Sequence, residues 1–124
     1  MSKKQKNVLG GDLELCSSNP LTGWYRDGCC NTDDNDNGLH TVCAKVNSDF
    51  LEWCKSAGND LVTPHPEFGF PGLKDGDNWC VCASWFARAI EAGKECKIYL
   101  KKTNEKTLKI IPLEILKKHA IDLS

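Results

Sequence analysis

Residues 76–89 read GDNWCVCASWFARA, and how this stretch folds decides what kind of domain the chain makes. Asp77 and Asn78 are helix-capping residue types, and Gly93 is a stop signal. Ala83, Phe86, Ala89 and Ile90 fall on one stripe at helical spacing, which predicts a helix from the cap to Ala92. Cys80 and Cys82 then lie in the approach to that helix or in its first turn. Unpaired amides and the helix dipole favour a thiolate there.

Working outward, HTVCAKV at residues 40–46 alternates Val42, Ala44 and Val46 on one face, which predicts a strand with Cys43 on the other. Asn47 or Ser48 caps a helix DFLEWCKSA that ends at Gly58, with Phe50, Cys54 and Ala57 on its apolar stripe. NDLVTPHPEFGFPGLKDGDNW carries Pro64, Pro66 and Pro71 and is read as loop. Beyond Gly93, KIYLKK and TLKII flank TNEK and predict a hairpin that buries Ile98, Leu100, Leu108 and Ile110. A last helix starts at Pro112, apolar at Leu113, Leu116 and Ala120. Residues 1–7 are expected to form a frayed polar tail, and 8–124 a single domain. The fold class expected is α+β: a two-layer sandwich with a small, mostly antiparallel sheet, about three helices and long ordered loops.

A chain of 124 residues is large enough to bury a core without crosslinks. Its eight cysteines therefore need another explanation, and their density is below that of a disulfide scaffold. MSKKQKNVLGG has lysines with no apolar run behind them, and no stretch of eighteen apolar residues follows. The expectation is a cytoplasmic protein with no membrane association, whose thiols stay reduced. A net charge of −1 argues against a dedicated nucleic-acid binder. Residues 94–118 nevertheless hold eight lysines against Glu95, Glu105 and Glu114, a basic stretch on an acidic body.

His40 and Cys43 form one short-spaced pair, and Cys80 and Cys82 another. Zinc in structural sites takes four thiolate and imidazole ligands, often as two such pairs, so His40, Cys43, Cys80 and Cys82 are the candidate metal set and zinc the candidate cofactor. A redox pair is the rival reading; adjacent Cys29 and Cys30 do not readily bridge each other, so one of them would pair elsewhere. Cys54, on a helix stripe, and Cys96, at the head of a strand, are read as small core residues. The acidic run DDNDNG resembles the start of a calcium loop, but Ala44 stands where the bidentate glutamate belongs, which leaves an exposed acidic turn. Arg26, among glycines and aromatics in GWYRDGCC, is a candidate clamp for a carboxylate or phosphate, or the partner of a loop aspartate. Asn59, Asp60, Thr63 and His65 form a polar loop cluster, and His119 is expected on the surface. No nucleophile elbow, phosphate loop, dinucleotide fingerprint or zinc-protease helix is present in the sequence.

The pieces NVLGGDLELCSSNPLTGWYRDGCCNT, GLHTVCA, GNDLVTP, FPGLKDGDNWCVCA and PLEILKKHA, taken together, resemble domain-of-unknown-function family 2237 across residues 7–122. That resemblance implies a stand-alone cytosolic domain, mostly bacterial, with no established activity. Its pattern falls here on Cys16, Arg26, Cys30, His40, Cys43, Asn59, Asp60, Trp79, Cys80 and Cys82, among others, and leaves Cys54 and Cys96 outside. Where relatives carry Arg and Trp after the C-x-C-Ala run, this chain has Trp85 and Phe86.

The leading expectation is a binding or thiol-chemistry module whose site gathers the first long loop, the 40–43 segment, the GNDL loop and the C-x-C turn. Arg26, Asn59, Asp60 and Trp79 would bind a small anionic ligand there. The competing expectation is an enzyme acting on a small anionic metabolite, with Arg26 on the anion, Asp60 or His40 as base, and Cys82, with Cys80 beside it, as nucleophile. A third is a protein or RNA partner-binding surface on the lysine-rich hairpin.

Overall fold

The computed structural model describes residues 5–122. Three antiparallel strands form the sheet, in the order β2-β1-β3: β1 (His40–Lys45), β2 (Asn78–Cys82) and β3 (Lys97–Ile98). Three short α-helices accompany it: α1 (Ser48–Ser56), α2 (Ala83–Glu91) and α3 (Leu113–Lys118). The other described residues form loops with 3-10 turns at Pro66–Phe68, Leu100–Lys102 and Glu105–Lys109. The chain is an α+β single domain.

The GDNWCVCASWFARA stretch folds differently from the helix expected over its first half. Asn78–Cys82 is a strand, and the helix begins only at Ala83. Trp79, Cys80 and Val81 are all buried, so this strand is covered on both faces and reads in sequence as a continuous apolar run without alternation. The capping signal was also misleading, since Asp77 Oδ2 instead accepts the Lys74 N–H at 3.0 Å and closes a turn. Cys80 therefore sits in mid-strand and Cys82 at the strand–helix junction.

On one face of the sheet, Val42, Ala44 and Val81 pack with Phe50, Leu51 and Phe86 in the main core. Helix α1 is capped as its sequence suggests, with Asn47 Oδ1 accepting the Phe50 N–H at 2.8 Å, and it buries Phe50, Leu51 and Cys54. Helix α2 packs on β1 and β2 through Ala83, Phe86 and Ala89. Cys96 is buried in the same core. Desolvation pushes the Cys54 thiol up from its ordinary range and the Cys96 thiol up to about 12. Both are neutral core residues.

On the opposite face, Cys43 of β1 and Cys80 of β2 are register partners, and they meet Cys16 and Cys30 from the first long loop. Two disulfides result, Cys16–Cys43 and Cys30–Cys80. The expectation that all eight thiols stay reduced is corrected here. Cys29 and Cys82 lie half-buried outside these disulfides, and Cys54 and Cys96 lie buried outside them.

The expected lysine-rich hairpin does not form. After Ile98 the backbone turns away from the sheet: Asp122 accepts the Leu100 and Lys101 N–H groups, and Thr103 Oγ1 donates to Tyr99 O. Asn104 then caps a 3-10 turn. Ile98 and Leu100 are buried as expected, whereas Leu108 and Ile110 are exposed and Thr107 and Ile111 take the inner positions. At the other end, the described part of the expected tail is fixed. Asn7 is buried and bridges to Asn104, and Gln5 donates to Thr32 O and accepts from Asn104 Nδ2. Residues 1–4 of that tail lie outside the described residues.

Candidate functional site

A cavity of about 560 Å³ opens beside the disulfide face. Gly23, Trp24 and Arg26 of the first loop, His40 of β1, Trp79 and Cys80 of β2, and Asp60, Leu61, His65, Phe68 and Phe70 of the proline-rich loop line it. Four elements far apart in sequence therefore supply its wall. The Cys30–Cys80 disulfide ties the first loop to β2 at this wall, and Thr22 Oγ1 accepts the Cys80 N–H at 2.9 Å. Gly23 keeps the loop close: at φ +106 it avoids left-handed strain, and a Cβ there would collide with Cys29 O.

Arg26 is held in an unusual backbone state, φ 56, which costs a non-glycine residue about 1–2 kcal/mol. Its guanidinium lies over the Trp79 ring, 5.1 Å from the centroid, and Nη1 donates to Gly23 O at 2.8 Å. Among the described residues no carboxylate lies within ion-pair distance of it, so the alternative of a structural pair with a loop aspartate is not what the fold builds. Trp79 also meets Phe70 edge-on at 5.2 Å, and Phe70 in turn stacks with His65 at 6.3 Å. Phe68, 76% exposed, stands beside His65 at the rim. The wall is thus largely aromatic, with the Arg26 guanidinium set against it.

His40 owes its position to a bulge. Its register partner is Cys82, while that of Val42 is Val81, so Thr41 is the extra residue. Thr41 Oγ1 is anchored to Thr107 Oγ1 at 2.7 Å. The imidazole stacks on Trp24 with ring centroids 5.7 Å apart, and its Nδ1 is 2.7 Å from Asp36 Oδ1. Asp36 Oδ2 accepts the His40 N–H at 2.8 Å and the Thr32 hydroxyl at 2.9 Å. Asp36 is buried, so the acidic run is not simply an exposed turn. Asp33 in the same run accepts the Tyr25 hydroxyl at 2.6 Å, and that bond is the leading cause of its lowered pKa.

Asp60 lines the cavity with both oxygens committed to its own loop. Oδ1 accepts the Val62 and Thr63 N–H groups and Oδ2 the Thr63 hydroxyl. The Thr63 hydroxyl, followed by the two amides, brings its pKa down to about 2. A carboxylate so stabilised is a poor proton acceptor at neutral pH, which removes the physical basis for Asp60 as a base. Asn59 is not among the lining residues; its N–H donates to Cys54 O at the end of α1.

The four expected metal ligands are neighbours along the β1–β2 ladder, but each is engaged separately. Cys43 and Cys80 are disulfide-bonded, His40 Nδ1 faces Asp36, and the Cys82 thiol donates to Gly38 O at 2.9 Å. The described residues that do cluster with metal-ligand spacing are Cys16, Cys30 and Cys80, whose buried sulfurs lie within 4.8 Å of one another. That cluster could hold a metal only with its sulfurs as thiolates, and in this disulfide-bonded form Cys16, Cys30 and Cys80 offer none. Cys82 does not line the cavity, so it is not placed as a nucleophile toward a ligand there.

Of the residues singled out in the sequence, Arg26, Trp79, His40 and Asp60 line the cavity; Trp24, Phe68 and Phe70 line it too without having stood out, and Asp36 lies behind His40. Asp36 carried one usable signal, its position four residues before His40. Trp24 and the two phenylalanines carried none beyond being aromatic residues in glycine- and proline-rich loops.

The molecule is a small cysteine-rich α+β domain whose loops, crosslinked to the sheet, enclose an aromatic pocket. It belongs to the family described as uncharacterized protein conserved in bacteria (DUF2237), whose model matches residues 6–120. No curated protein matches the chain. Among the described residues no helix is long and apolar enough to cross a membrane.

Proposed function

We propose that this protein is a binding module for a small planar anion, taken up in the aromatic pocket with its negative group on Arg26. The observation that carries the reading is the Arg26 guanidinium, spread over Trp79 at the cavity wall with a single hydrogen bond to protein and no acidic partner among the described residues. A guanidinium has five N–H donors in a fork that matches carboxylate and phosphate oxygens. The left-handed backbone at Arg26 supports the same reading, because strain of this kind is kept where a side chain must be aimed. Phe70, His65 and Trp24 supply flat faces on which a conjugated or aromatic ligand body stacks.

The test is a thermal-shift screen of small carboxylates and phosphates against wild type, Arg26→Lys and Arg26→Gly. Wild type should be raised in Tm by at least one planar carboxylate and Arg26→Lys clearly less, since lysine cannot reproduce the two-pronged contact. Arg26→Gly should lose the shift altogether while its own stability changes by no more than about 1 kcal/mol. Release of the left-handed strain offsets a lost cation–π contact of about 0.5–1 kcal/mol. A wild type that no anion stabilises, or equal shifts in all three proteins, would sink the proposal.

A further inference from the structure

Resting on that reading, we infer that His40 is the second recognition group of the pocket, and that the bound anion carries a hydroxyl which donates to a bare His40 Nε2. Two observations converge. The Asp36 side chain, 1% exposed, faces His40 Nδ1 at 2.7 Å, and a carboxylate in that position holds the proton on Nδ1. No described residue hydrogen-bonds the opposite nitrogen, Nε2, and the imidazole is 41% exposed at the cavity wall. No buried side-chain nitrogen or oxygen among the described residues lacks a partner, so Nε2 reaches open space rather than a sealed core.

Asp36 is a positioning residue in this scheme. Its remaining bonds, from the Thr32 hydroxyl and the His40 N–H, fix the carboxylate plane and leave it no freedom to release the ring. The bulge at Thr41 and the stack on Trp24 fix the ring from the backbone side and from its face. An acceptor nitrogen fixed in this way discriminates between ligands of one size by whether they can donate to it. Arg26 selects the charge and His40 the hydroxyl, so the ligand class is a small planar hydroxy-carboxylate.

Two measurements test this. Long-range proton–nitrogen NMR on the neutral imidazole should show His40 protonated at Nδ1 and bare at Nε2. In Asp36→Asn, whose amide can donate to Nδ1, the proton should move to Nε2. Calorimetric titration then compares benzoate with its 2-, 3- and 4-hydroxy derivatives. At least one hydroxy isomer should bind wild type roughly tenfold more tightly than benzoate, the ratio expected of one well-placed hydrogen bond. The preference, read as the ratio of the two affinities, should fall to about one in His40→Phe, which keeps a ring against Trp24. A proton on Nε2 in wild type overturns the inference whatever binds. Equal binding of benzoate and every hydroxy isomer, with all weakened by Arg26→Lys, overturns it and leaves the anion reading standing. No binding of any of these acids overturns both.

Discussion

The two faces of the sheet are held by different physics. The helix face is an apolar core in which Phe50 and Phe86 are fully buried and pack together, their ring centroids 6.2 Å apart. The loop face has little apolar side chain to bury. Two disulfides hold it, helped by single hydrogen bonds that span long stretches of chain, such as those from the Cys43 N–H to Thr103 Oγ1 and from Asn104 Nδ2 to Cys30 O. The first kind of order is spread over many contacts. The second is concentrated in a few, and the pocket is built on it.

The largest expected effects set those two faces against each other. Phe86→Ala opens the helix-side core and should cost about 3–5 kcal/mol in chemical denaturation, with or without reductant. Replacing Cys30 and Cys80 together by alanine releases a crosslink between residues 50 apart and should cost about 2–4 kcal/mol. That second penalty should be absent when wild type and variant are compared under full reduction. If the crosslink variant is as stable as wild type in the oxidised state, the loop face is held by something other than its sulfurs.

A smaller effect follows from Asp60. Its folded pKa, about 2, lies below the ordinary 3.8, so the stabilisation it gives is complete above the ordinary value and is lost as pH falls through about 2. Asp60→Asn should therefore melt below wild type at neutral pH, and the gap should close between roughly pH 4 and pH 2. A gap that stays constant over that range would mean that shape at position 60, and not charge, braces the loop.

The same contrast explains what the sequence could tell. Helix α1 was legible because Asn47 and the Phe50–Cys54 stripe are local signals, and β1 because Val42, Ala44 and Val46 alternate. Strand β2 was not, since a segment covered on both faces loses its alternation and the residues before it mimic a cap. The 97–110 segment failed for another reason: its alternation of lysines with Ile98, Leu100, Leu108 and Ile110 is undone by non-local bonds to Asp122 and by the Asn104 cap. At the site, Arg26, Trp79 and His40 stood out as residue types. Their grouping did not, because Cys16–Cys43 and Cys30–Cys80 close long loops, and spacing along a chain carries no record of which sulfurs meet.

The disulfide-braced pocket depends most directly on how those sulfurs are paired. Protein purified without reductant, unfolded in denaturant with an alkylating agent and mapped by mass spectrometry, should carry four adducts, on Cys29, Cys54, Cys82 and Cys96. Labelling of the native protein should reach Cys29 and Cys82 before the buried pair. Eight adducts in the unfolded protein, or a crosslink that joins any other two cysteines, would contradict the disulfide-braced pocket.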